Sequence, residues 1–437
     1  MISLRYLLPL CFSAVALTAS PKLPEPTTAQ LGGNHFAYPH ILTAPEQTPA
    51  PEGYKPFHIE HYGRHGSRYH IGQWHYDMPV EVLEKAEKAG VLTSLGMQLL
   101  DSARVYRKQA VLRDGDLSDI GALQHQAIGR RIGTNYPEIF KEGTHIDAKS
   151  TTVRRCILSM LNEVKELQAL YPSLLITTDC SDAEMYYMNA CSSDTSVVTR
   201  REAARKNILP EFQRRFDNDG SKFLPKLFTS SDFARDSVDA PAFASATIQL
   251  LQNTQNHSAQ NGFELLEKIF TRDEIKDDWI KNNAYWFIEA GNTPLTGGNL
   301  AMEHAWLLDN FIQSADTAVT SANHSVNLRF GHDSIVLPLA ILMQLNDLHR
   351  SYSSLEDLYG NWANYAVIPM AGNIQMIFYR PEGSTDPKDV IVKVLLNEEE
   401  VTLPVAAVDG PYVKWTDLRN YYRSIIDPYL QTHSPRY

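Results

Sequence analysis

The sequence predicts an α/β fold, with a mainly parallel sheet flanked by helices and a discontinuous helical cap inserted into it. Three observations carry that expectation. Short strand-like runs alternate with helical periodicity up to about residue 184, the pattern of a sheet covered by helices. Helical spacing alone then fills residues 185 to 318, and strand-like runs return after it. The expected organisation is a leader over 1–20, an irregular lead-in over 21–50, an α/β domain assembled from 51–78, 115–184 and 319–437, and a helical cap from 79–114 and 185–318. With 437 residues, 43% hydrophobic and 21% charged, the chain can bury a large core, and wholesale disorder is excluded.

The elements follow in order. Arg5 precedes an apolar run from Tyr6 to Leu17, and Thr18, Ala19 and Ser20 offer small residues for cleavage, the pattern of a secretory signal. That run is too short to span a bilayer, and no later stretch reaches the ~20 apolar residues of a membrane helix. An exported protein is expected. Of Cys156, Cys180 and Cys191, the last two are the expected bridge, because Cys156 falls in a helical pattern. Prolines and polar residues dominate 21–50. Phe57, Ile59 and His61 then alternate with His58, Glu60 and Tyr62, a strand ended by Gly63 and Gly66. Residues 79–112 read as helix broken near Gly90, and Ser118 caps a helix bearing Ile120, Leu123, Ile128 and Ile132. Ile146 to Lys149 is a strand, Thr151 or Thr152 caps a helix running to about Leu170, and Leu174 to Thr178 is a strand. The insert contains helical stretches at 199–215, 241–254, 262–269, 273–289 and 299–315, with a capping box at Thr271 and Glu274 and no expected strand. Val326 to Phe330, Val367 to Tyr379 and Val390 to Leu396 are strands, and a turn at 397–400 leads to a last one at Val401 to Leu403.

Lys plus Arg total 40 against 51 Asp plus Glu, a net charge of −11. Such a chain is a poor partner for nucleic acid, so an anionic ligand needs a local basic pocket. One candidate is Arg64-His65-Gly66-Ser67-Arg68, directly after the first strand. Two guanidiniums flanking one imidazole are costly unless an anion joins them, and Arg forks bind phosphate in bidentate fashion. Their charge pushes His65 towards its neutral, nucleophilic form, and Gly66 is expected to let the backbone approach the ligand. The competing reading is a metal site among His58, His61, His65, His70 and His75, but the glycines break any helix there and the arginines repel a dication. A second candidate is His332-Asp333, after an apolar strand, where His332 can donate to an anion and Asp333, kept protonated, can act as general acid. A third is Ser150-Thr151 with Arg154, Arg155 and Ser159, at a helix start.

Together these pieces resemble the histidine acid phosphatases, the larger branch of the histidine phosphatase superfamily. Residues 64–68 match that family's RHGxR, Ser150, Thr151, Arg155 and Ser159 match its S-T-x-x-x-R-x-x-x-S segment, and His332-Asp333 match its late His-Asp. Residues 117–131 are similar to its glycine- and glutamine-bearing helix. Within the family, the stretches around Arg68 and Arg329 look most like the multiple inositol-polyphosphate phosphatases, with two departures: Asp333 stands where that clade has a His-Ala-Glu acid, and His70 replaces a usual proline.

The resemblance implies catalysis by His65 as nucleophile and Asp333 as acid, with phosphate held by Arg64, Arg68, Arg155 and His332. It implies no metal or other cofactor, and a small-molecule phosphate ester as partner, an inositol polyphosphate such as phytate being the expected one. The alternatives are a general acid phosphatase on simple monoesters and an anion-binding protein with weak turnover. The basic run over 200–226, from Arg200 to Lys226, is a candidate lining for the rim of a polyanion cleft.

Overall fold

Eight strands hydrogen-bond side by side through the centre of the molecule, in the order β10-β11-β8-β7-β1-β6-β2-β3, with the two-residue β9 beside β8. The computed structural model describes residues 22–189, 194–258 and 261–435. The leader and Cys191 lie outside the described residues. Cys180 is exposed, and among the described residues it forms no bridge.

The strands are β1 (Tyr54–Arg64), β2 (His145–Ser150), β3 (Leu175–Asp179), β6 (Ser325–Gly331), β7 (Asn373–Pro381), β8 (Ile391–Leu396), β9 (Glu399–Glu400), β10 (Ala407–Asp409) and β11 (Tyr412–Lys414). The sheet is mixed. β1, β6, β2 and β3 run parallel, whereas β7, β8, β11 and β10 add to the β1 side antiparallel. The helical crossovers expected from the sequence, α3 (Asp119–Asn135) and α4 (Arg154–Leu170), serve the parallel half, as parallel strands require.

β1 is the pivot of the sheet and is covered on both faces. Ile59 packs with Ile146, Val326 and Leu328 against Ile128, Ile132 and Leu167 of α3 and α4. Tyr62 lies on the other side with Ile374, Phe378 and Trp415, and each such fully buried large side chain contributes about 1.5–3 kcal/mol. The alternation expected for Phe57, Ile59 and His61 breaks at Phe57. A register shift between Pro56 and His58 against β7 turns Phe57 to the Tyr62 side, as a bulge does. The expected polar positions are buried too. Glu60 accepts from Arg329 Nη1 at 2.5 Å, His58 Nε2 at 2.8 Å and Asn327 Nδ2 at 2.8 Å, so the interior carboxylate is fully paired.

The helical stretch expected over 79–112 splits at the expected place into α1 (Trp74–Lys88) and α2 (Ser94–Ala110), with Gly90 in the left-handed region between them. Ser118 caps α3 through its side chain, and the Thr271–Glu274 capping box is formed. Other expectations fail for local reasons. α4 is capped by the backbone of Val153 with no side-chain bond, because Thr151 Oγ1 instead lies 3.3 Å from His332 Nε2. The insert contains a two-stranded hairpin, β4 (Asn292–Thr293) with β5 (Gly298–Asn299). β7 begins at Asn373 and not Val367, since residues 364–367 form a helical turn and Ala371 has φ 56°. The turn after β8 is tighter than expected: Asn397 and Glu398 both adopt positive φ and return the chain as β9, so Val401 to Leu403 is not a strand.

The insert supplies α5 (Thr195–Asn207), α6 (Leu209–Arg214), α7 (Ala240–Asn253), α8 (Phe263–Ile269), α9 (Arg272–Ala290) and α10 (Ala305–Val319). They join two cores. Phe243, Ile248, Leu251, Leu266 and Trp279 pack with Tyr76, Leu83 and Leu99 of α1 and α2. Phe287, Leu307 and Phe311 pack instead with the sheet, with α11 (Asp333–Leu342) and with α12 (Trp415–Leu430). No helix among the described residues is long and apolar enough to cross a membrane.

Candidate active site

Three neighbouring parallel strands end level with one another. Arg64, the last residue of β1, is in register with Gly331 at the end of β6, and Ser150 at the end of β2 is in register with Phe330. Each end carries one of the three motifs, so residues 64–68, 150–159 and 332–333 are brought together at the carboxyl edge of the sheet, where ligands of open α/β sheets bind.

His65 is buried and its Nδ1 lies 2.9 Å from the Gly66 carbonyl oxygen. A carbonyl only accepts, so Nδ1 holds the ring proton and Nε2 keeps its lone pair. Burial, then the charges of Arg64, Arg155 and Arg68, push His65 well below the usual imidazole pKa. Both causes favour the neutral ring. His332 stands beside it, ring centres 5.8 Å apart, and burial followed by Arg155 lowers it to about 4.

The guanidiniums converge on this pair. Arg64 is fully buried, gives Nη1 to the Asn34 and Ile368 carbonyls at 2.6 and 2.7 Å, and approaches Asp333 Oδ2 with Nη2 at 2.7 Å. Arg68 gives Nη1 to the Tyr69 carbonyl, and burial with Arg64 alongside lowers it to about 9. The Nε atoms of Arg64, Arg68 and Arg155 are buried without a hydrogen-bond partner. Unpaired buried donors on three cations are a strong demand for an anion. Arg154, the adjacent arginine, is exposed and pairs with Asp116 at 3.1 Å. Arg155 alone of the two belongs to the cluster.

Asp333 departs from expectation. Burial raises its carboxyl, but Arg64 and Arg68 outweigh that and hold it down at about 2, so in the free protein it is ionised rather than held as an acid. At Gly66 a Cβ would lie 2.4 Å from the Gly121 carbonyl oxygen, so its small size is required for close contact with α3.

The loop between β1 and α1 is clamped from behind. Gly66 N donates to Ser159 Oγ at 3.0 Å, Ser67 N donates to Gln124 Oε1 at 2.8 Å, and Ser118 Oγ donates to the Ser67 carbonyl at 3.0 Å. His125 lies between the Arg64 carbonyl (Nε2, 3.1 Å) and Glu163 (Nδ1, 2.9 Å). Ser118, Gln124 and His125 hold the backbone of this loop from α3, the helix whose glycine and glutamine pattern was visible in the sequence, and Ser159 holds it from α4.

Sequence reasoning missed Asn34. It lies in a 3₁₀ turn, Gln30–His35, of the lead-in, and Asn34 Nδ2 donates to Asp333 Oδ2 at 3.1 Å while its carbonyl takes Arg64. Nothing in a proline-rich, polar stretch announces such a contact. The clustered histidines do not converge. His58 faces Glu60, His61 lies 3.8 Å from Glu163 on the opposite face, and His70 stacks on His75 at 4.1 Å. Among the described residues no group of three or more His, Cys, Asp or Glu side chains is arranged to hold a metal ion. Several cations of the basic run over 200–226 have partners of their own: Arg201 pairs with Glu303 at 2.6 Å, Arg205 with Glu289 at 2.6 Å, Arg215 with Glu356, and Lys226 with the Ile269 carbonyl.

A neutral imidazole among guanidiniums with unfilled donors defines a site that can hold a phosphoryl group against a histidine. The family model of the histidine phosphatase superfamily (branch 2) matches residues 63–397. The chain belongs to that family and is a histidine phosphatase. It is 19% identical over 330 residues to the multiple inositol polyphosphate phosphatase 1 of Gallus gallus, covering 71% of this chain and 69% of that protein. Against the human protein of the same name it is 28% identical over 130 residues, 28% of this chain and 26% of that one. In fold it resembles the Bifidobacterium longum multiple inositol polyphosphate phosphatase in complex with phosphate, with a TM-score of 0.68, 18% identity, and 91% and 98% of the two chains covered. It also resembles the phytase of D. castellii, with a TM-score of 0.64, 14% identity, and 91% and 85% covered.

Proposed function

We propose that the protein is a phosphomonoesterase that hydrolyses inositol polyphosphates through a phosphohistidine at His65. The observation that supports it most is the set of unpaired Nε donors on Arg64, Arg68 and Arg155 around an imidazole that keeps its Nε2 lone pair. In this reading His65 Nε2 attacks phosphorus, the P–O bond to the leaving alkoxide breaks, and the arginines with His332 hold the three remaining oxygens. Preorganised donors of this kind supply the main stabilisation of the transition state. Asp333 protonates the alkoxide. Since it is ionised in the free protein, its proton arrives with the substrate: phosphomonoesters have a second pKa of about 6, and a dianion facing Arg64 and Arg68 relaxes their hold on the carboxyl. Water then attacks phosphorus, gives its proton to Asp333, and frees His65.

The inositol substrate rests on the sequence likeness to the Gallus gallus and human proteins, and export rests on the pattern of residues 1–20. The test is kcat/KM for inositol phosphates against glycerol phosphate. Higher values for the inositol esters are expected; equal values make this a general acid phosphatase. Export is checked by the N-terminus of the mature protein, expected shortly after Ser20.

A further inference from the structure

Next to the catalytic cluster lies a cavity of about 440 Å³, built entirely from α6, α7, α9 and the residues just after α6. It adjoins the acid side of the site. Asn282, in its wall, donates from Nδ2 to Asn34 Oδ1 at 3.4 Å, and Asn34 donates to Asp333 Oδ2 at 3.1 Å. Tyr285, also in the wall, has its phenol pushed up by burial, then by Glu289, with Asp333 a smaller contributor. The group expelled from phosphorus towards Asp333 therefore faces this space, whose volume is that of an ordinary small-molecule pocket.

Its charges balance. Arg214 and Lys281 are its cations, and Asp217 and Asp278 its carboxylates. Lys281 is taken up by both, with Nζ 3.2 Å from Asp217 Oδ1 and 3.8 Å from Asp278 Oδ1. Asp278 is nearly fully buried and also accepts from Ser245 Oγ at 2.7 Å. The rest of the polar lining, including Gln249 and Asn282, is neutral. With cations and carboxylates compensating one another, the cavity offers no net positive charge to a phosphate, whereas its carboxylate and amide oxygens can accept from hydroxyl groups. A site built to hydrogen-bond a hydroxyl also discriminates sharply against a ligand without one.

We infer that this cavity receives a hydroxyl-bearing part of the inositol ring, so that Asp217 and Asp278 favour partly dephosphorylated inositol phosphates over the fully phosphorylated one. This rests on the inositol-phosphatase reading above. It gives the pocket one task, reading the ring, and leaves the arginine cluster with the other, holding the reacting phosphate.

The experiment measures kcat/KM for an inositol trisphosphate and for inositol hexakisphosphate, and takes their ratio within each protein so that losses common to both cancel. The wild type is expected to prefer the trisphosphate. Asp217→Asn with Asp278→Asn should move the ratio about tenfold towards the hexakisphosphate, the equivalent of about 1.4 kcal/mol. Lys281→Met should move it the opposite way. Asp217→Asn alone, at a half-exposed position, should give a smaller shift in the same direction should the double variant fail to fold. A ratio unchanged in the carboxylate variants, or a wild type that prefers the hexakisphosphate, overturns the inference while leaving the phosphatase intact. A wild type that turns over p-nitrophenyl phosphate but neither inositol ester overturns the substrate reading and this inference with it.

Discussion

The catalytic cluster and the cavity beside it use the same residue types to opposite ends. At the strand ends, three guanidiniums face one carboxylate, and their Nε atoms are left unpaired in the interior. In the cavity, two cations meet two carboxylates, and Lys281 touches both. Uncompensated buried charge is costly and marks the place where a ligand completes the structure. Balanced charge asks for nothing ionic. On the proposed reading, the anion belongs at His65 and the neighbouring space reads neutral groups.

The sharpest way to break this contrast is to remove the nucleophile. His65→Ala should lower turnover by about 10⁶-fold, the scale seen when a covalent nucleophile is deleted, with phosphate still bound by the arginines. Substantial turnover in that variant would mean the cluster only binds. Next in size is Asp333→Asn, with a loss of about 10²–10⁴-fold for an alkyl phosphate, which needs its alkoxide protonated. The loss for p-nitrophenyl phosphate, whose leaving group needs little help, should be smaller; equal losses would make Asp333 a positioning group. Arg155→Ala should cost about 10²–10³-fold in kcat, the value of one transition-state donor. Arg154→Ala, at an exposed position outside the cluster, should leave kcat within a few-fold of the wild type.

The smallest effect concerns stability. Asp333 is held at about 2 in the folded protein against an ordinary 3.8. A depressed carboxyl stabilises the fold fully above the ordinary value and loses that contribution as pH falls through the folded one. The shift is worth about 2 kcal/mol at 1.36 kcal/mol per pK unit. Thermal melts of wild type and Asp333→Asn should therefore differ most at pH 5 and converge towards pH 2. A difference that stays constant with pH contradicts the ion pair with Arg64.

The two regions also differ in how far the sequence reveals them. The cluster was legible because each of its parts lies within a few residues of a strand end, where chain geometry fixes where a motif points. His65, Arg64, Arg68, Arg155, His332 and Asp333 all fall at the carboxyl edge for that reason. Asp333's ionisation was not legible, since it depends on Arg64 lying 2.7 Å away across the sheet. Asn34 and the cavity were not legible either: Asn34 sits in a 3₁₀ turn of the polar lead-in, and Arg214, Asp217, Asp278 and Lys281 come from separate helical stretches with no shared spacing. The composition of the basic run was visible but its partners, Glu289, Glu303 and Glu356, were far along the chain, so the sequence did not show that several of its cations are paired while Arg214 lines the cavity. In the fold, the parallel half followed from strand–helix alternation. The antiparallel half depends on turns that hold Asn397 and Glu398 at positive φ between β8 and β9, and Gly410 between β10 and β11, which hydrophobic pattern does not encode.

Passage of the phosphoryl group through His65 can be observed by mixing the enzyme with a ³²P-labelled phosphomonoester, quenching in alkali within the turnover time and mapping the labelled peptide. A label stable to alkali and lost in acid is expected, carried by the peptide containing His65 and absent from His65→Ala. Label on another residue, or full turnover with no labelled protein at any quench time, contradicts it.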